Sequence, residues 1–132
     1  MSGERDLATL FSTLSAKLHP ETYVFATVAR VPAGLSPRMV FVEDEAITLI
    51  CTREQAETAG IPYEFPCRMI TCNVHSALEA VGFIAHIATK LAAAGMGVNP
   101  VAGFFHDHLF IPEGREDDAL AILADIADQA RS

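Results

Sequence analysis

Apolar positions along this chain alternate between a helical and a strand-like period. Leu7, Leu10, Phe11, Leu14 and Leu18 fall on one helical face, which predicts a helix over residues 6–18 that stops where His19 precedes Pro20. Thr22–Arg30 reads TYVFATVAR, an apolar run rich in β-branched and aromatic residues, and so a central strand covered on both faces. Pro32, Gly34 and Pro37 mark a loop. Met39–Glu43 and Ile47–Thr52 predict a hairpin turning at Asp44-Glu45. Thr52-Arg53-Glu54-Gln55 is a capping box, in which the threonine hydroxyl accepts from the Gln55 amide while the Gln55 side chain reaches back. The helix it opens is short, because Gly60 and Pro62 follow. Ile61–Pro66 is a connecting segment, too apolar for a free linker, and is the best boundary between two halves, 1–66 and 67–132.

The second half repeats the alternation. Met69–Val74 predicts a strand that the pattern assigns to neither half. Ser76-Ala77-Leu78-Glu79 is a second capping box. It opens a helix that runs to about Ala94, with Leu78, Val81, Ile84, Ala85, Ala88 and Leu91 buried, Glu79, His86 and Lys90 wet, and Gly95 just past its end. Val98–Phe105 and His108–Ile111 predict strands linked at His106-Asp107. Pro112 predicts the start of a last helix that buries Ala119, Ile122, Leu123, Ile126, Ala127 and Ala130 and sets Glu113, Glu116, Asp117 and Asp118 against the positive end of its dipole. The order is α β β β α, then β α β β α. Each half alone exposes sheet edges, so the two are expected to close one composite structure.

Composition narrows the function. With 51% hydrophobic and 20% charged residues, 132 residues bury a core and do not read as disordered. Nine basic against 17 acidic residues give a net charge of −8, which is repelled by phosphate backbones and anionic lipid surfaces. Nucleic acid and membrane are therefore not expected partners. Cys51, Cys67 and Cys72 lie in strand-like contexts without metal spacing, and read as buried small hydrophobes of a reducing, cytoplasmic setting. No leader pattern or membrane-length apolar run is present.

No catalytic constellation stands out. The glycines form no phosphate loop; Gly82 and Gly103 read as sites of close packing. His106 and His108 stand at i and i+2, so on a strand they point the same way and can share a metal. Two ligands do not make a site, and no metal or other cofactor is assigned. The same pair can line a ligand pocket or shape the turn. His86 is solvated. Ser76 is first an N-cap, and the free amides beyond it suit a carboxylate. Asn73 offers both a donor and an acceptor.

From Ile70 to Leu123 the chain resembles an ACT domain, the small βαββαβ ligand-sensing module. The matching residues are Leu78 with Val81-Gly82, Leu91-Ala-Ala-Ala-Gly95, Gly97-Val98-Asn99, Asp107-His108-Leu109-Phe110-Ile111 and Ala119-Leu120. The whole chain resembles a tandem ACT-like protein, the first half by element order. The resemblance implies an α+β fold of two fused ferredoxin-like units, with an antiparallel sheet and helices on one face. It also implies an amino acid or similar carboxylate bound where ACT units meet. Asn73–Leu78 stands where the family carries Asp-x-Pro-Gly-x-Leu, so the acid, proline and glycine are replaced. Asn73, His75, Ser76, Ala77, Asn99, His106 and His108 are the candidate ligand-binding residues. The expected function is regulatory binding without turnover. The alternatives are a homodimerising interaction module and a metal-binding protein acting through His106 and His108.

Overall fold

The computed structural model describes residues 4, 6–75 and 81–132. The elements follow the expected order: α1 (Leu7–Ser12), β1 (Ala16–Val28), β2 (Met39–Val42), β3 (Ile47–Thr52), α2 (Arg53–Ala59), β4 (Glu64–Cys72), α3 (Phe83–Ala93), β5 (Asn99–Ala102), β6 (Asp107–Pro112) and α4 (Glu116–Arg131). Neighbouring strands run β2-β3-β1-β4-β6-β5 in one six-stranded sheet, giving the α+β, ferredoxin-like architecture that the pattern implied.

The chain divides into two compact units. A middle unit comprises Pro20–Cys67. A terminal unit joins the segment through His19 to Arg68–Ser132. The two longest strands are divided between them. β1 gives Ala16–His19 to the terminal unit and Pro20–Val28 to the middle one; β4 gives Glu64–Cys67 to the middle unit and Arg68–Cys72 to the terminal one. Each unit thereby holds four strand segments, β2-β3-β1-β4 in one and β1-β4-β6-β5 in the other. Residues 69–72, the part of the unassigned strand Met69–Val74 that lies in β4, thus fall in the unit that holds the C-terminal elements.

In the terminal unit Ile70, Cys72, Leu109 and Ile111 from the strands meet Leu10, Phe83, Ile87, Leu91, Ala119, Leu123 and Ala127 from α1, α3 and α4. Fully burying one such leucine or isoleucine contributes about 1.5–3 kcal/mol. Arg68 adds a polar tie. Its Nε and Nη2 donate to the His19 carbonyl at 3.2 and 2.8 Å, and its Nη1 pairs with Glu116 at 3.1 Å. The middle unit has a smaller core of Val24, Ala26, Leu49, Cys51 and Ala56, with Val31 and Leu35 of the β1–β2 loop against it.

Several boundaries differ from the expected ones. The first helix ends at Ser12 and not at residue 18, and β1 runs through His19-Pro20. The apolar pattern at Leu14, Ala16 and Leu18 fits strand alternation as well as a helical face, and all three pack on the terminal core. β4 starts at Glu64, inside the predicted connector, and accommodates Phe65 at φ 56. Gly82 has φ 93, so α3 begins only after it. Its buried stripe is Phe83, Ile87 and Leu91, while Val81, expected inside, is 83% exposed. The Ser76 capping box, with Ala77, Leu78 and Glu79, lies outside the described residues. Pro112 ends β6 rather than opening a helix. Gly114 at φ 96 intervenes, and α4 starts at Glu116. Ala130 is exposed.

The caps are clearer. Thr52 accepts from the Gln55 amide at 3.2 Å. The Gln55 side chain does not reach back; it accepts instead from the Ser36 amide at 3.2 Å, since Thr52 is still in register with Tyr23 at the end of β3. Gly60 and Gly95 both close their helices in the left-handed region. After α3, Gly95 N–H donates to Ala92 and Met96 N–H to Leu91, the paired bonds of a Schellman end.

Candidate functional site

The terminal unit places its polar side chains in two groups. Strand alternation sets Thr71 and His108 on the sheet face opposite Ile70, Cys72, Leu109 and Ile111. There His19 Nε2 lies 2.8 Å from Thr71 Oγ1, and His108 Nδ1 lies 2.9 Å from the same oxygen. One hydroxyl bridges two imidazoles, donating to one and accepting from the other. His108 is therefore held by a three-strand polar ladder. Its Nε2 would lie 3.3 Å from a Cβ at residue 103, and the His106 carbonyl only 2.9 Å from it, so Gly103 is required by close approach.

The second group gathers where β4 ends. Asn73 is exposed, and its amide donates to the Ser15 carbonyl at 2.7 Å. The His75 carbonyl accepts from the Glu4 amide at 2.7 Å. The β5–β6 turn is Gly103–His106, closed by Gly103 N–H to His106 O at 2.9 Å, and not His106-Asp107 as the pattern suggested. Ala102 already pairs with Asp107, so Phe104 and Phe105, expected in a strand, project at the turn, 61% and 63% exposed. The His75 ring lies 5.5 Å from Phe105 and 6.4 Å from Phe104. His106 Nδ1 is 3.2 Å from the Val74 carbonyl. Within this cluster the Nε2 of His75 is shielded from solvent and has no hydrogen-bond partner among the described residues. A buried nitrogen left so costs about 1–3 kcal/mol.

The loop after β4 and the β5–β6 turn therefore bring together His75 and His106, with Asn73 on the same loop. His108 is bonded within the ladder. Asn99 starts β5 opposite Phe110, three ladder positions from the Ala102–Asp107 pair that adjoins the turn. Ser76 and Ala77 lie outside the described residues. His106 precedes β6, so it and His108 do not share a strand, and each directs its Nδ1 to a different partner. Among the described residues no three His, Cys, Asp or Glu side chains are grouped to hold a metal ion. The pattern alone missed Phe104 and Phe105, and also the bridging of His19 and His108 by Thr71. The signal for the aromatic pair was Gly103, which marks the turn just before them. The ladder has no local signal, since its members are 52 and 37 residues apart.

Buried groups beneath the cluster are set electrostatically. Burial pushes the Cys72 thiol up to about 12, and the nearby Asp107 carboxylate adds to the rise. Cys72 is thus a neutral, unreactive core thiol. Burial also raises Asp107, partly offset by His106. In the middle unit, clefts of about 410 Å³ lie beside Phe25, Thr48 and Tyr63, and between Pro32–Leu35 and α2. No helix among the described residues is long and apolar enough to cross a membrane.

Residues 2–68 match one ACT domain family profile, and residues 64–125 match a second. The chain belongs to the ACT domain family. It carries two ACT domains in tandem, and the matches indicate a regulatory rather than a catalytic family. Among solved structures, this ACT protein is similar to a Vibrio cholerae protein of unknown function, a possible transport protein. The two are 38% identical over 92% of this chain and 95% of that one, with a TM-score of 0.83. An Agrobacterium tumefaciens protein shares the fold at 16% identity, covering 86% of this chain and 89% of that one, with a TM-score of 0.74. The ligand-free regulatory subunit of aspartate kinase from Thermus thermophilus shares it at 12% identity, covering 85% and 96%, with a TM-score of 0.61. No curated protein matches the chain.

Proposed function

We propose that this tandem ACT protein binds a small carboxylate-bearing metabolite, an amino acid or a close relative, and acts as a regulator in the cytoplasm. The observation that carries the reading is the solvent-shielded Nε2 of His75, on the loop after β4, which has no hydrogen-bond partner among the described residues. An imidazole N–H there donates well to a carboxylate oxygen, which removes the cost of the orphaned nitrogen. Phe104 and Phe105 offer apolar contact to the remainder of the ligand, and Asn73 and His106 offer polar groups at its margin. The ligand's position where ACT units meet is part of the same proposal; binding would favour one arrangement of units by its differential affinity.

The test is a thermal-shift panel of the twenty amino acids at about 10 mM, since a ligand that binds only the folded state raises the melting temperature. At least one should raise it by several degrees. The His75→Phe variant, which replaces the orphaned nitrogen with carbon, should fold with unchanged or greater stability and lose that response. A wild-type protein indifferent to the entire panel would sink the proposal. A response that survives in His75→Phe would move the ligand away from this loop.

A further inference from the structure

The middle unit holds a cleft of about 410 Å³, a size that suits a small molecule. Strands β1 and β3 and the residues that lead into β4 line it. Alternation along β1 turns Val24 and Ala26 to the core that includes Ala56 of α2, and turns Phe25 and Thr27 to the opposite face. The register sets Thr27 beside Thr48 and Phe25 beside Ile50. Phe25, Thr27 and Thr48 line the cleft together with Pro62, Tyr63 and Glu64. Phe65 follows at φ 56, a region that bulky side chains enter only under strain. Its ring meets that of Phe25 edge-on, with centroids 5.7 Å apart. The strained residue thus supports an aromatic wall of the cleft.

The polar groups of this cleft are suited to accept. The Thr48 hydroxyl donates its proton to the Glu43 carboxylate, which leaves the oxygen only lone pairs to offer a ligand. The Tyr63 hydroxyl donates to Glu57 at 2.9 Å, so its proton is committed as well. Glu64 is exposed and supplies a carboxylate. No lysine, arginine or histidine is among the described residues that line the cleft. A ligand carboxylate or phosphate would meet acceptors and like charge there, whereas an ammonium would meet partners for its N–H groups.

We propose that this cleft is a second ligand site, and that it takes a primary amine carried on an apolar body. The ammonium donates to Thr48 Oγ1 and to the Glu64 carboxylate, with the Thr27 hydroxyl adjacent. The rings of Phe25 and Tyr63 attract the cation through their quadrupoles. Phe25 and Pro62 offer apolar contact to the rest of the ligand. Glu43 acts through Thr48, by holding the hydroxyl proton away from the ligand and adding negative charge behind it. The ligand class is opposite in charge to the carboxylate proposed for the loop after β4, and the net charge of −8 favours cations at the surface generally.

Calorimetric titration of the intact chain with phenethylamine tests the site. The control is 2-phenylethanol, the same body with a hydroxyl in place of the ammonium. Phenethylamine should bind with a Kd of about 1 mM or below, and 2-phenylethanol at least about tenfold more weakly. Glu64→Lys, which reverses the charge of an exposed side chain, should abolish amine binding. Glu64→Gln should weaken it, and Thr48→Val should weaken it about fivefold, as for the loss of one hydrogen bond. A wild type that gives no response to phenethylamine at about 10 mM overturns the proposal. So does equal binding of 2-phenylethanol, or amine binding that is indifferent to both Glu64→Lys and Thr48→Val.

Discussion

The two units reach the same four-strand order with unequal support. Among the described residues the terminal unit sets α1, α3 and α4 on its strands, and the middle unit has α2 alone. The difference is located in one strand connection of each unit. β4 and β5 are joined through α3, which buries Phe83, Ile87 and Leu91. β1 and β2 are joined by the loop containing Pro32, Gly34 and Pro37, which offers Val31 and Leu35 to the core. A proline-rich loop covers a sheet less completely than an eleven-residue helix, and the middle core is correspondingly small. The unit with the smaller core also carries the exposed Val40, Phe41 and Val42 of β2.

This contrast can be broken by mutation. Leu123→Ala in the terminal core and Leu49→Ala in the middle core each delete a fully buried leucine, and such changes cost about 2–5 kcal/mol. Leu123 should fall at the upper end of that range, because three helices and the sheet hold its cavity open. Leu49 should fall at the lower end, because the loop can collapse onto it. Urea denaturation measures both; a Leu49→Ala cost equal to or above that of Leu123→Ala would overturn the ranking.

A smaller effect is expected at Arg68, whose guanidinium joins the end of the terminal segment of β1 to the first turn of α4. Arg68→Ala should cost about 1.5–3 kcal/mol, as for hydrogen bonds made by a charged donor. Arg68→Lys should recover only part of this, since one ammonium cannot serve the His19 carbonyl and Glu116 in the same fork. Full recovery by lysine would show that charge alone matters there.

The smallest effect is a dependence on pH. Burial raises the Asp107 carboxyl in the folded chain above its ordinary value. The folded state therefore holds this proton more tightly than the unfolded one. Asp107 accordingly subtracts stability as pH rises from the ordinary carboxylate value through the raised one. Replacing Asp107 with Asn should flatten this part of the profile, just above the ordinary carboxylate range. An unchanged urea midpoint profile in Asp107→Asn would assign the dependence to other groups.

What could be read from the sequence were features set by near neighbours. The order of ten elements follows from local periodicity. Thr52, Gly60 and Gly95 act as caps because each needs only residues within a turn of itself. Boundaries failed where two local readings coincide, as at Leu14–Leu18, or where one backbone angle overrides a run, as at Gly82 and Gly114. Of the candidate site, His75 and His106 were visible as polar residues beside apolar strands, but the burial of one ring nitrogen was not.

The sequence by itself determined that this chain is an alternation of strands and helices with two ferredoxin-like halves, since hydrophobic period and capping are encoded locally. Only the tertiary structure decided that β1 and β4 are each divided between units, that Thr71 bridges His19 and His108, and that the Gly103 turn sets two phenylalanines beside His75. Those outcomes depend on strands distant in sequence burying a shared face, and no local pattern records which strands will be neighbours.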